Sequence, residues 1–250
     1  MGEATVNKPC IVIPVYNHEH AIGAVVEGLR GFGVPCILVD DGSSPGCARV
    51  LDGLGATPGV SLVRLAQNSG KGAAVLAGFD EAVRQGFSHV LQIDADGQHD
   101  VGDIPLFLKL AENNPQAVIN GKPVYDESVP KARLYGRYAT HIWVWINTLS
   151  LAIHDSMCGF RVYPVAAVQA LRARQKLGSR MNFDTDILVR LYWSGLQVVN
   201  QPTRVAYPSD GVSHFRVWAD NVQISGMHTR LFFGMLPRIP RLLARHFRKP

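Results

Sequence analysis

The sequence contains no long hydrophobic run: no window reaches the roughly 18 consecutive apolar residues that a membrane-spanning helix needs. It has no C-x-x-C pair and no histidine cluster at zinc spacing. Its four cysteines, Cys10, Cys36, Cys47 and Cys158, stand apart from one another, three of them in or beside apolar runs. That pattern reads as buried free thiols in a reducing compartment rather than as a disulfide framework. The N-terminal "MGEATVNK" lacks the apolar core of a secretory signal. Together these absences lead us to expect a cytoplasmic protein, soluble or peripheral to a membrane.

Two nucleotide fingerprints are missing as well. After the first apolar strand, "PVYNHEH" stands where a dinucleotide-binding chain would carry G-x-G-x-x-G, which argues against a nicotinamide dehydrogenase. "NSGKGAA" invites a Walker A reading, but Leu65 and Gly72 occupy the positions that need Gly and Ser or Thr. What remains is a glycine-rich entry to a helix with Lys71 at its start. Free N–H groups and the helix dipole there favour an anion.

Acidic residues are absent from one segment. The chain carries a net charge of +5, yet from His228 to Pro250 there are six basic residues and no acid. Removing these six leaves 19 basic against 20 acidic residues, so the body is close to neutral. The tail mixes its arginines with Leu, Phe and Met, and Pro237 and Pro240 break it into short pieces. Such a basic amphipathic segment suits an anionic membrane surface, at about 1 kcal/mol per Lys or Arg near the headgroups. A helix packed on the domain is the alternative. No recognition fold accompanies the charge, so we expect no nucleic acid.

What the 250 residues do have is alternation. "CIVIPV", "CILVDD", "VSLVRL", "HVLQID" and "QAVING" read as short buried strands. Between them, stretches such as "HAIGAVVEGLRGFG" and "KGAAVLAGFDEAVRQGF" carry helical spacing. This predicts an α/β fold with a mostly parallel sheet covered on both faces. Farther on, "RLYGRYATHIWVWINTLSLAI" predicts a long helix, and "LQVVNQP" and "TRVAYP" two edge strands. We expect one domain over 8–215, with halves at about 8–100 and 101–215, followed by the segment 216–250.

Open parallel sheets bind ligands outside the carboxyl ends of their strands. The segments there are "PVYN", "DDGSS", "AQNSGKG" and "DADGQHD". Asp94 and Asp96, at i and i+2 on a turn, can face one pocket together with the Gln98 amide oxygen. Mg²⁺ or Mn²⁺ binds a few such oxygens at roughly 2.0–2.2 Å and keeps positions for phosphate oxygens.

In this order and spacing, "IVIPVYN", "LVDDGS", "NSGKGAA" and "IDADGQH" resemble the family 2 glycosyltransferases with the GT-A fold. The nearest likeness is to the dolichyl- and polyprenyl-phosphate sugar synthases, over roughly residues 9 to 215. The resemblance implies a Rossmann-like GT-A sheet and an inverting hexosyltransferase. Its donor would be a nucleoside diphosphate sugar (UDP or GDP) and its acceptor lipid-linked, a polyprenyl phosphate, at the inner face of the membrane. It further implies that Pro14, Tyr16, Asn17 and Asp41 hold the nucleotide. Asp94 would stand near the ribose and the metal, with Asp96 and Gln98 on the divalent ion. Lys71 would help to hold the diphosphate or simply cap its helix.

In the second half, "HDSMCGFRVYP" resembles a D-x-x-S-G-F-R segment, making Asp155 and Arg161 acceptor-site residues. Arg133 and Arg137 resemble arginines that meet a lipid phosphate, a geometry that also fits a solvated basic face. "NFDTDILVRL" resembles an acidic helix, with Asp184 and Asp186 beside Asp155 as carboxylates that could take a proton from a hydroxyl acceptor. The chain departs from the family pattern at His18, at Cys158, and around "YPSDGVSHFR", where Arg216 follows the segment that a basic residue usually precedes. A hydroxyl on a lipid, pigment or saccharide is the alternative acceptor, and a non-catalytic sugar-nucleotide scaffold the alternative role.

Overall fold

The computed structural model describes residues 7–125, 131–206 and 216–247, without the side chains of residues 131–135, 217 and 246. In the first half, strand and helix alternate as the sequence predicts. The order is β1 (Pro9–Val15), α1 (Ile22–Leu29), β2 (Cys36–Asp40), α2 (Pro45–Gly55), β3 (Val60–Arg64), α3 (Lys71–Arg84), β4 (His89–Gln92) and α4 (Ile104–Asn113). The second half adds β5 (Val118–Tyr125), α5 (Lys131–Thr148), β6 (Arg161–Pro164), α6 (Val165–Arg172), α7 (Phe183–Trp193), β7 (Val198–Val205), α8 (Val217–Met235) and α9 (Ile239–Phe247).

The strands form one sheet in the order β3-β2-β1-β4-β6-β5-β7. Every pairing is parallel except those of β6, which runs against both β4 and β5. The expected mostly parallel α/β sheet is therefore present. The two predicted edge strands are one: β7 pairs without interruption along β5, Pro202 at the sheet's edge included.

β1 shows why the sheet is covered twice. Its residues alternate between two cores: Cys10 and Val12 pack with α3, and Ile11, Ile13 and Val15 pack with α1, α2 and α4. A strand buried on both faces reads as a continuous apolar run, as "CIVIPV" does. The chain order reverses at β1, which has β2 on one side and β4 on the other. The crevice at their carboxyl ends is the ligand position for this class of sheet. All four cysteines are buried and free, and burial pushes the Cys10 and Cys36 thiols up to about 12.

The basic tail is not a loose amphipathic strip. Leu231, Met235 and Leu242 are buried in the main core. Arg245 donates to the carbonyls of Tyr192, Gly195 and Leu196 and lies 4.1 Å above the Tyr192 ring. Arg238 lies 4.9 Å above Trp193. Arg245 thus closes the carboxyl end of α7, where cations satisfy unpaired carbonyls, while Arg238 donates to the Gly234 carbonyl. Arg230 and Arg241 are exposed, while Arg248 and Lys249 lie outside the described residues. No described helix is long and apolar enough to cross a membrane.

Candidate functional site

Three polar segments meet at the carboxyl end of the β1–β4 crevice. Asn17 follows β1 in the left-handed region (φ 53°), which Asn tolerates better than most residues. Its amide donates to Ser43 Oγ at 3.1 Å, and its Oδ1 accepts from the Ser44 amide at 2.7 Å. Asn17 therefore stitches the end of β1 to the turn after β2. Pro14 and Tyr16 beside it are half-buried.

Asp41 is buried, and its two oxygens accept the amides of Ser69 and Gly70 at 2.7 and 2.9 Å. The expected nucleotide-binding carboxylate thus fixes the glycine-rich loop ahead of α3, and two N–H groups expected to meet an anion are already used. Gly70 makes that approach possible. It sits at φ 100°, and a Cβ there would lie 2.6 Å from the Ser179 carbonyl. Burial raises the Asp41 carboxyl, and the two amides only partly offset it.

At the amino end of α3, Lys71 is an ion-pair hub. Its Nζ lies 2.7 Å from Asp94 and 2.8 Å from Asp184. Gln92 Nε2 donates to the second Asp184 oxygen at 3.0 Å. Burial disfavours the Lys71 charge, but the two carboxylates outweigh it and raise its pKa. Burial likewise works against the Asp94 charge, yet Lys71 and His99 hold that carboxyl well below the usual range. His99 Nε2 is 3.7 Å from Asp94, and its ring lies 5.5 Å from Phe160, which itself stacks on Phe107 at 4.3 Å.

Asp96 differs. Burial and the neighbouring Asp94 charge push it up, and its Oδ1 accepts only the Gln98 amide at 3.1 Å. A carboxylate with a raised pKa beside another acid is a place where added positive charge is favourable. Asp94, Asp96 and Gln98 fit a hard cation that takes its remaining oxygens from a diphosphate. Among the described residues, no group of three or more His, Cys, Asp or Glu is arranged to hold a metal.

A second pocket adjoins this one. The turn before β6 is wound around Asp155, whose Oδ1 accepts the Met157 and Cys158 amides, both at 2.8 Å. The same turn brings Gly159 against Asp94, where a Cβ would meet both carboxylate oxygens at 2.5 Å. On its other side Asp155 faces a cavity of about 320 Å³ whose walls include Lys122, Tyr125, Arg137, His141 and Trp145. Arg137 holds Asp155 through two bonds, 2.5 and 2.9 Å, and His141 Nε2 lies 3.2 Å from it. Burial opposes the Asp155 charge, but His141 and Arg137 prevail and keep the carboxyl far below its usual range.

Burial and pairing set several of the expected site residues apart from these pockets. Arg161 is fully buried, with Nε on Asn120 Oδ1 at 2.7 Å and Nη1 on the Asp184 carbonyl at 2.5 Å, so it braces the interior and does not face an acceptor. Asp186 is buried, accepts the Gly178 amide at 2.9 Å and pairs with Arg190 at 2.6 Å. Arg216 is exposed at the start of α8, its guanidinium 3.8 Å from Asp220. It is not among the residues lining the second pocket. The Arg133 side chain lies outside the described residues.

His99, Lys122, His141 and Trp145 were not singled out by their sequence. A signal existed for two of them. Residues 137, 141 and 145 follow one another at helical four-residue spacing, so Arg137, His141 and Trp145 share one face of α5.

Comparison with known proteins bears on the same residues. The profile described as "Glycosyl transferase family 2" matches residues 10–168, which include the whole β1–β4 crevice and the Asp155 turn. The chain belongs to this family. Polyprenol monophosphomannose synthase of Mycolicibacterium smegmatis is 28% identical over 213 residues, covering 82% of this chain and 80% of that protein. Undecaprenyl-phosphate mannosyltransferase of Micrococcus luteus is 26% identical over 198 residues, covering 76% and 80% respectively. Both names match the branch that the motifs resemble. Among solved structures, glucosyl-3-phosphoglycerate synthase from Mycobacterium tuberculosis, in complex with Mn²⁺, UDP and phosphoglyceric acid, superposes with a TM-score of 0.67. At 14% identity, with 92% of this chain and 78% of that one covered, the likeness shows the GT-A fold.

Proposed function

We propose that this glycosyltransferase moves a hexose from a nucleoside diphosphate sugar to the phosphate of a polyprenyl-type lipid at the cytoplasmic face of a membrane. The observation that carries this reading is the adjacency of two differently built pockets. The Asp94–Asp96 edge has the charge pattern of a cation–diphosphate site. The pocket behind the Asp155 turn places Lys122, Arg137 and two histidines, His141 and His154, against a single carboxylate. Relatives named for transfer to polyprenol and undecaprenyl phosphate support the acceptor.

In this reading Asn17 and the Asp41-held loop shape the nucleotide end, while Lys71 fixes the Asp94 carboxylate. Asp94, Asp96 and Gln98 hold a divalent cation, Mg²⁺ or Mn²⁺, which when bound stabilises charge on the departing diphosphate. Arg137 uses two of its five N–H donors on Asp155, which leaves three outside that pair for the acceptor phosphate. The acceptor oxygen attacks the anomeric carbon, and the sugar–phosphate bond breaks on the opposite side. A phosphate arrives already ionised and needs no base. Exposed apolar residues on α5 and α8, among them Trp143, Trp218 and Phe233, together with Arg230 and Arg241, would meet the membrane surface.

A hydroxyl acceptor is the second reading, favoured by one contact. His141 stands 3.2 Å from Asp155, the arrangement of an imidazole oriented by a carboxylate to accept a proton.

Calorimetry with UDP and with GDP, each with and without Mn²⁺, tests the donor site in the wild type and in Asp96→Ala. Metal-dependent binding of one nucleotide, lost in the variant, is expected. Absence of binding of either nucleotide would overturn the transferase reading.

A further inference from the structure

The polar pocket does not stand alone along α5. Trp145, which lines it, also lines a second, shallow and open cavity whose other walls are Ile142, Ile146, Leu149, Ser150 and Leu151. Helical spacing explains the division. Arg137, His141 and Trp145 form one stripe; Tyr138, Ile142 and Ile146 form the next. The Trp145 ring is pinned between them, its Nε1 donating to the Ile153 carbonyl at 3.0 Å.

Beyond the helix the chain folds back along this cavity. Leu149 adopts the left-handed region at φ 49°, rare for a residue that is not glycine. The Ser150 amide donates to the Trp145 carbonyl at 3.2 Å, and Thr148 Oγ1 donates to the Ser150 carbonyl at 3.0 Å. The outcome is a wall that displays apolar side chains. Leu151 is 68% exposed, Ile142 54% and Ile146 38%. Isolated exposed apolar residues are ordinary, but a contiguous apolar cavity is a binding feature.

We infer that this second cavity holds the first isoprenoid units of the acceptor, with its phosphate in the polar pocket and its chain passing Trp145. The inference rests on the proposed lipid-phosphate acceptor and adds where the tail lies. The ligand chemistry follows from continuity. One pocket carries excess positive charge, its neighbour is almost wholly apolar, and a single indole is common to both. A molecule that fills both is anionic at one end and hydrocarbon at the other. The site thus selects by tail as well as by head.

The test uses detergent-free, water-soluble acceptors, so that membrane binding does not intervene. Transfer to dimethylallyl phosphate and to farnesyl phosphate is measured for the wild type and for Ile142→Asp and Leu151→Asp. Both positions are exposed, which leaves the core intact. Val83→Asp, on the exposed face of α3, is the control. The wild type is expected to prefer farnesyl phosphate in kcat/KM, and the two variants to lower that preference at least about tenfold, equivalent to about 1.4 kcal/mol. Val83→Asp should leave it unchanged.

An unaltered preference in both variants overturns the inference. So does a loss confined to sedimentation with anionic vesicles, which would assign the stripe to the membrane surface. If the wild type binds its nucleotide yet transfers to neither phosphate, the acceptor reading falls and the inference falls with it. Transfer to both without discrimination removes the inference alone.

Discussion

Replacing Lys71 with methionine removes the one charge that lies between Asp94 and Asp184 while keeping a side chain of similar length. In the wild type Nζ is 2.7 and 2.8 Å from these carboxylates, and the Lys71, Asp94 and Asp184 side chains are 17%, 24% and 7% exposed. Breaking a buried pair on one side costs about 3–5 kcal/mol, because it strands the partner's charge. Asp94 retains some solvent, so the lower end, about 3 kcal/mol, applies here. For a chain of this size that lowers Tm by roughly 6–12 °C. Adding Asp184→Asn to Lys71→Met removes one of the two stranded charges and should recover part of the loss. The coupling between the two positions should lie within about 0.5–3 kcal/mol. Thermal denaturation of the four proteins measures this cycle. Calorimetry on the same samples should show metal-dependent nucleotide affinity falling about tenfold or more in Lys71→Met, since Asp94 loses its anchor. A Tm within about 2 °C of wild type, or additive effects of the two substitutions, would refute the assignment of Lys71 as the organising charge.

Two further outcomes follow from the same region. Gly159→Ala sets a Cβ 2.5 Å from both Asp94 oxygens, so transfer activity and metal-dependent nucleotide binding should collapse. Circular dichroism should show the fold retained; a variant with wild-type activity would show that Asp94 has room to move. The acid limb of stability should depend on Asp155. Its folded pKa is depressed, so its contribution is complete above the ordinary carboxylate value of about 4 and is lost as pH falls below it. Asp94 acts in the same direction, whereas Asp41 and Asp96, raised by burial, oppose it. Tm measured against pH should therefore drop steeply below about pH 4 in the wild type and less steeply in Asp155→Asn. Equal slopes would show that the Arg137–Asp155 pair does not control acid stability.

The sheet was legible in the sequence where strands are buried on both faces, because β1 and most of β2 read as continuous apolar runs. So were the polar segments at their ends. What the sequence hid depends on partners distant along the chain. Nothing near Lys71 announces Asp184, and nothing in "GFRVYP" distinguishes an arginine facing solvent from one enclosed by Asn120 and the Asp184 carbonyl. The packing of the tail was hidden for a similar reason. Arg238 and Arg245 look solvated in a basic run, yet Arg245 meets the carbonyls at the end of α7 and Arg238 lies over Trp193. Asp186 was the exception, since its partner Arg190 lies at i+4 and the pairing could have been read locally.

The reversed direction of β6 has a consequence for how such an enzyme changes its substrate. A parallel strand delivers the loop that follows it to the ligand edge, and a strand running the other way delivers the loop that precedes it. The Asp155 turn therefore reaches the crevice from a chain segment that supplies none of the nucleotide-end loops. In the proposed reading, donor and acceptor recognition then fall in separate stretches of sequence, and the acceptor stretch abuts Asp94 at Gly159. Exchange of residues 122–157 between relatives should then transplant acceptor preference as a unit, with Gly159 as the joint at which the grafted piece must fit.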